Sequence, residues 1–284
     1  MAIPELSLYN YDNLILFFQE LALFAITQLI GIFVALKSQA LVQEQVSVRT
    51  ITGGEIIVFL VFLTAFVFFI RKFSHKSAVF FKLILGIAIF AGSQTVFSLV
   101  FNEAVISTLA AALLVFAVLK VKIVFLHNAG VILALAGIGA VLGVSLAPLT
   151  VIFLLLVLSF YDIIAVYKTG HMVKLAEDMI KSRAIFGLVL PQESRGYRER
   201  LDNVRPGEGF MILGSGDVVM PLILIASVVG FHGLADGLIV LAFSLFGLFL
   251  TYWLFITQKT RRPMAALPPI AAMSIIGYLV SIVL

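Results

Sequence analysis

Two carboxylates lie inside runs that are otherwise hydrocarbon. Asp162 sits in LLLVLSFYDIIAVYKTG, residues 154–170, one residue after Tyr161, and Asp217 sits in FMILGSGDVVMPLIL, residues 210–224. An ionised carboxylate in such surroundings costs several kcal/mol unless it is paired or keeps its proton. Two carboxyl groups held together do not both ionise readily, so one retains a proton while the other acts as a base. Such a pair can activate water and protonate a carbonyl oxygen at a single site. Asp217 has local chemistry of its own. Pro221, four residues on, has no N–H to give the Asp217 carbonyl, which predicts a helix kinked or opened at the acid. Gly214 and Gly216, with Ser215 between them, remove bulk beside the acid and admit a neighbouring helix or water.

A third element, RRPMAALPPIAAMS at residues 261–274, lies near the other end of the chain. Regular helix after its prolines covers only about 15 residues, or about 22 Å, short of a hydrocarbon core of about 30 Å. Part of MAALPP is therefore expected to run at membrane depth. Leu267 and Pro268 each precede a proline and are biased towards extended backbone, which survives at that depth only when buried in protein or beside a wet cavity. The plainer alternative is a short ninth helix with a proline start.

The elements that must hold these residues follow from composition. The chain has 284 residues, 62% hydrophobic and 12% charged, with a mean hydropathy of +1.17. This is the signature of an all-α polytopic membrane protein. Spans are expected near 14–36, 55–70, 78–101, 103–119, 123–146, 148–167, 210–231, 233–257 and 268–284, nine in all. The net charge of +4 marks cytoplasmic loops rather than a nucleic-acid surface, since no groove-binding motif accompanies it. Cysteine is absent, which excludes disulfides and thiol chemistry, and the acidic amino terminus does not read as a cleaved signal peptide.

Basic residues set the sidedness. Arg71, Lys72, Lys76 and Lys82 follow the second span, Lys120 and Lys122 the fourth, eight lie between Lys168 and Arg205, and Lys259, Arg261 and Arg262 precede the ninth. Only Lys37 and Arg49 fall on the other side, so the amino terminus is expected in the cytoplasm and the carboxyl terminus outside. The chain divides into a six-helix bundle at 1–167, a cytoplasmic loop at 168–209 and a three-helix part at 210–284. In the loop, HMVKLAEDMIKSRA is expected to form an amphipathic helix on the membrane surface, with Met172, Leu175, Ala176, Met179 and Ile180 on its apolar face. PQESRGYRERLDNVRPGEG is expected to be a mobile connector. Asp162 lies six residues before Lys168 and Asp217 seven beyond Phe210, about 9 and 10 Å at helical rise. Both acids thus come to one level near the cytoplasmic face.

The substrate suited to such a pair is a peptide bond in a membrane helix. That bond is shielded by its own hydrogen bonds, so the helix must be unwound and its freed amides rehoused, which an extended edge beside the acids does by strand addition. The motifs YD at Tyr161–Asp162, GSGD at Gly214–Asp217 and AALP at Ala265–Pro268 resemble, in order and spacing, the YD, GxGD and PAL(P) signatures of the intramembrane aspartyl proteases, presenilin and signal peptide peptidase. The resemblance runs through the nine expected spans. It implies that Asp162 and Asp217 are the catalytic pair, that Tyr161, Gly214, Ser215, Gly216 and Pro221 shape the site, and that Ala265, Ala266, Leu267 and Pro268 border a substrate cleft. Ala265 replaces the first proline of PAL, which loosens the entry to that segment, and Ser215 stands where presenilins commonly have leucine. The expected orientation favours the presenilin branch, of the compact microbial kind, in the cell membrane, acting on transmembrane-helix proteins. No cofactor and no auxiliary subunit is implied, and assembly into a homo-oligomer stays open.

A proton- or cation-coupled transporter or leak channel is the rival reading, because intramembrane acids also serve as relays. It needs further polar groups along a path. Glu20 and Gln94 are candidates, although Glu20 reads more simply as a packing contact with Gln19 or Gln28. A scaffold in which the acids only bond neighbouring helices would waste expensive groups. His75, His127, His171 and His232 have no paired spacing, so no metal is expected. Trp253 with Tyr252 reads as an interfacial anchor.

Overall fold

A computed structural model describes residues 5–42, 78–101, 103–168, 179–205, 209–258 and 264–284. The span expected at 55–70 and most of the surface helix expected after Lys168 lie outside the described residues. The helices are α1 (Glu5–Val42), α2 (Ala78–Val100), α3 (Ala104–Val121), α4 (Val124–Val144), α5 (Pro148–Ile163), α6 (Ser215–His232), α7 (Leu234–Ile256) and α8 (Leu267–Ser281). Among the described residues, seven are long and apolar enough to cross a membrane, and α8 is a shorter apolar helix of 15 residues.

Small residues decide which helices meet. In α4, the run LALAGIGAVLG brings backbone against backbone: a Cβ on Gly137 would lie 2.1 Å from the Gly92 carbonyl oxygen of α2, and one on Gly143 would lie 2.6 Å from the Ile223 carbonyl oxygen of α6. Lipid tails are as apolar as leucine, so such close packing is what holds helices together in a bilayer. Of the central windows of α4 and α6, 61% and 56% of residues are buried, against 17% in α3 and in α5. α4 and α6 therefore form the middle of the bundle. α1 is fastened to α6 by Gln28, whose Nε2 donates to the Val218 carbonyl at 2.9 Å, and by Gln39, whose Nε2 donates to the Gly230 carbonyl at 2.9 Å. The second bond satisfies one of the carbonyls that a helix end leaves without a partner.

Four expectations need correction. The helix expected over 210–231 starts at Ser215, because Phe210–Gly214 is a strand, β2, paired antiparallel with β1 (Gly187–Pro191). The segment expected to be a mobile connector is folded over much of its length: beyond β1, turns of 3₁₀ helix at Ser194–Arg198 and Leu201–Asn203 carry the chain onward. Leu201, Val204, Ile185 and Val189 close on Val124 of α4 in a small apolar core. Arg183 pairs with Asp202 at 2.8 Å on its surface. The charged residues of this segment occupy the rim while its few apolar residues converge, a pattern that a count of charges does not reveal.

The other two corrections concern proline. α6 runs unbroken through buried Pro221, so the helix is not opened at the acid, which sits in its first turn. The ALPP segment is not extended: Ala266 is in the helical region (φ −87°, ψ −29°) and α8 begins at Leu267, with both prolines in its first turn. Helix starts leave their first N–H groups without partners, so proline removes nothing there. The plainer alternative, a short helix with a proline start, is the form observed.

Candidate active site

Asp162 lies near the end of α5, just before the chain loosens into a π turn at Ile164–Lys168. Its residue is 9% exposed. The backbone N–H of Leu267 donates to its carboxylate, and Oδ2 has no hydrogen-bond partner. Leu267 is the first residue of α8, so this donor is one that the helix itself leaves unused. Asp217 occupies the first turn of α6, three residues after its N-cap, Gly214, and accepts a hydrogen bond from the Gly214 N–H. That is half of a capping box, in which an acid in the first turn reaches back to the N-cap amide. The two aspartates are in electrostatic contact. Each faces a helix N-terminus, whose partial positive charge favours an anion, while their mutual repulsion favours a shared proton.

The strand pair aims an open backbone edge at this site. Ladder bonds from Ser215 N–H to the Phe186 carbonyl (3.3 Å) and from Gln192 N–H to the Gly209 carbonyl (2.9 Å) flank the pairs Gly187–Gly214 and Pro191–Phe210. Those pairs, and Val189–Ile212 between them, are consequently the ones whose own backbone groups point away from the partner strand. On the β1 side the outward groups are taken by α4. Asn128 Nδ2 donates to the Val189 carbonyl at 2.7 Å, Val189 N–H donates to Asn128 Oδ1 at 2.9 Å, and His127 Nε2 lies 3.2 Å from the Gly187 carbonyl. On the β2 side the outward groups are those of Phe210, Ile212 and Gly214, and the Gly214 N–H already meets Asp217.

A cavity of about 200 Å³ opens along this region. Met211–Leu213 of β2 form one wall, Thr251, Tyr252 and Phe255 of α7 another, and Met264, Ala266, Asp217 and Glu20 of α1 line the rest. The Thr251 hydroxyl bonds the Ala266 carbonyl at 3.4 Å as well as its own helix at Gly247, which ties the approach to α8 against α7. Ala265 and Leu267 are buried and Pro268 is half-buried. Tyr161 is 38% exposed and is not part of the cavity wall.

The two glycines of GSGD differ. A Cβ on Gly214 would lie 2.9 Å from Asp217 Oδ2, whereas one on Gly216 meets nothing within 4 Å. Gly214→Ala is therefore expected to displace the Asp217 carboxylate and lower peptide cleavage about tenfold, as misplacement of a reacting group does, and Gly216→Ala to stay within about twofold. Initial rates on one peptide, normalised to folded protein, check the pair.

Several groups escaped the sequence reading. Among the described residues no hydrogen bond joins Glu20 to the glutamines: Gln19 accepts from the Tyr197 hydroxyl at 3.1 Å, Gln28 bonds Val218, and Glu20 Oε2 has no hydrogen-bond partner. Tyr252 is no interfacial anchor, since it is buried, packs its ring against that of Phe17 with centroids 4.9 Å apart and lines the cavity, whereas Trp253 is 51% exposed. Asn128 is a polar residue in an apolar span, the same signal that points to the aspartates. Gln94 bonds Ser107 and Thr108 of α3 at 3.3 and 3.2 Å. Among the described residues no group of three His, Cys, Asp or Glu side chains is placed to hold a metal ion.

Two solved structures share this architecture. A presenilin family intramembrane aspartate protease in space group C222 superposes with a TM-score of 0.67 at 23% identity, covering 94% of this chain and 98% of that one. One in space group P2 gives 0.63 at 24% identity, covering 92% and 96%. At that identity the likeness is one of fold. No curated protein matches the chain. The family model described as signal-peptide peptidase, presenilin aspartyl protease matches residues 20–284, which spans both aspartates, the strand pair and α8, and the chain belongs to that family.

Proposed function

We propose that Asp162 and Asp217 are the catalytic dyad of this intramembrane aspartyl protease, and that the substrate is read as a strand laid along the free edge of β2. The observation that carries the proposal is the meeting of two carboxylates from α5 and α6, in electrostatic contact and each bonded by a backbone N–H at a helix start. The ionised member takes a proton from water as the oxygen attacks the peptide carbonyl, and the protonated member gives its proton to the carbonyl oxygen. Collapse of the resulting diol breaks the C–N bond, the amine leaves with the proton first taken from water, and the diol proton returns to the dyad. Stoichiometrically, one water is added and the pair is restored.

A helix offers no free amides to such a site until it is unwound, and unwound amides need partners. The outward N–H and C=O of Ile212 supply a pair on the cavity side, while Asn128 and His127 close the opposite edge of the sheet. Added strands gain affinity from main-chain bonds and selectivity from the pockets beside them. Ile212→Pro tests this. Proline removes an N–H that the β1–β2 ladder does not use, so the hairpin is expected to persist while kcat/KM for a transmembrane peptide falls about tenfold, the loss of one directed hydrogen bond and its neighbours. Leu213→Pro removes a ladder bond and should instead unfold the hairpin. Equal cleavage by Ile212→Pro and wild type would end the edge-strand reading.

The transporter reading gains nothing from the site, because Glu20 shares the cavity of Asp217 rather than marking a route across the membrane, and Gln94 is engaged with α3. We assign nine spans, counting residues 55–70 with the eight described helices, and an amino terminus in the cytoplasm on the strength of Lys120, Lys122 and the basic residues from Lys168 onward. The substrates are then membrane helices entering from the bilayer of the cell membrane.

A further inference from the structure

The cavity lined by Asp217 holds a carboxyl group that the hydrolytic step does not use. Glu20 of α1 is 4% exposed, lines the same cavity as Asp217, is in electrostatic contact with it, and carries an Oε2 that meets no hydrogen-bond partner. A buried polar oxygen without a partner costs about 1–3 kcal/mol, a cost that a ligand removes by supplying a donor. The rest of the wall is mostly apolar: Ile212, Ala266 and their neighbours, with Thr251 spent on carbonyls of α7 and Ala266. Among the described residues no lysine or arginine lines the cavity.

We infer that Glu20 is a specificity-determining residue: it selects substrates that carry a hydrogen-bond-donating side chain, of the hydroxyl or carboxamide class, at the position next to the scissile bond that fills this cavity. The inference rests on the strand placement just given. A strand along Ile212 passes with alternate side chains turned to either face, and one of them enters the space that β2, α7 and Glu20 line. About 200 Å³ accommodates one such side chain. A site built around a buried polar group discriminates strongly against an analogue lacking the matching group, because that group is then left unpaired.

The test is a set of synthetic transmembrane peptides with a leucine-alanine core, each with one Ser, Asn or Gln scanned across the cleaved region, incubated in liposomes with wild type, Glu20→Gln and Glu20→Met and analysed by mass spectrometry. Wild type is expected to favour the donor-bearing peptide at a single position over its all-apolar counterpart by about tenfold or more in kcat/KM. Glu20→Gln, which keeps an acceptor oxygen, should retain the preference, and Glu20→Met, of similar volume without one, should lose or invert it. A wild type with no favoured position, or a Glu20→Met enzyme with the wild-type preference, overturns the inference. The first outcome needs no variant and so does not depend on how Glu20→Met folds. Failure of the dyad assignment gives a different result, equal fragments from wild type and Asp217→Asn.

Discussion

Asp162→Asn and Asp217→Asn, each alone, are expected to abolish cleavage of a transmembrane peptide, by about 10³-fold or more, and to leave the protein at least as stable as wild type. The first half follows from the chemistry: asparagine neither takes a proton from water nor gives one to a carbonyl oxygen, and general acid-base catalysis contributes about 10² to 10⁴ per participating group. The second half follows from the packing. An asparagine oxygen still accepts the bond from Leu267 N–H or from Gly214 N–H, while the like-charge contact between the two aspartates disappears. Removing a poorly compensated charge from a buried cluster is neutral or favourable for stability. Thermal unfolding in detergent, beside mass spectrometry of peptide fragments, reads both halves at once. A large drop in Tm would show that the acids hold the fold together rather than act on a substrate, and fragments equal to wild type would remove the dyad altogether.

The site was legible in the sequence wherever it broke a pattern. An aspartate in a hydrocarbon run is expensive, so Asp162 and Asp217 announce themselves by cost, whereas the count of helical rise from Phe210 does not carry over, because Phe210–Gly214 is strand. The partners of those acids were not legible in the same way. Leu267 serves through a backbone N–H that exists only because α8 starts there, and no property of a leucine side chain signals it. Proline misled twice for one reason: its effect depends on where in a helix it falls, and the helix boundaries shifted by a few residues. A Phe210 start for the seventh helix put Asp217 well inside it, whereas the Ser215 start puts it in the first turn. The strand pair was invisible because GLVLP and FMILG are short apolar runs whose length and periodicity fit a membrane helix end as readily as a strand. Asn128 was the available clue to it, since a carboxamide in an apolar helix must find a donor and an acceptor somewhere.

That clue yields the second large effect. Asn128 is 2% exposed and bonds both the N–H and the carbonyl of Val189, acting as one residue of a third strand supplied by a helix. Asn128→Leu keeps the approximate volume and leaves two buried backbone groups without partners, at about 1–3 kcal/mol each, so a loss of about 2–6 kcal/mol of stability is expected. If the strand pair served stability alone, the surviving folded enzyme would cleave normally. The geometry argues otherwise, because β2 leads directly into Gly214 and Asp217, and a hairpin released from α4 no longer fixes the edge on which the substrate is laid. Cleavage per folded molecule should fall about a hundredfold, as displacement of reacting groups by about 1 Å does, with KM rising as well as kcat falling because the docking edge and the acid move together. Asn128→Asp separates the contributions. It keeps the acceptor for Val189 N–H and sets a carboxylate against the Val189 carbonyl, so it should weaken one bond of the two and fall between wild type and Asn128→Leu. Hydrogen exchange gives the structural readout: the Val189 amide should lose protection in both variants, more in Asn128→Leu, and the ladder amides of Leu188 and Leu213 should follow it if the hairpin depends on its mooring to α4. Protection at Leu213 unchanged in Asn128→Leu, with cleavage at the wild-type rate, would mean that the hairpin holds its shape and its aim without α4.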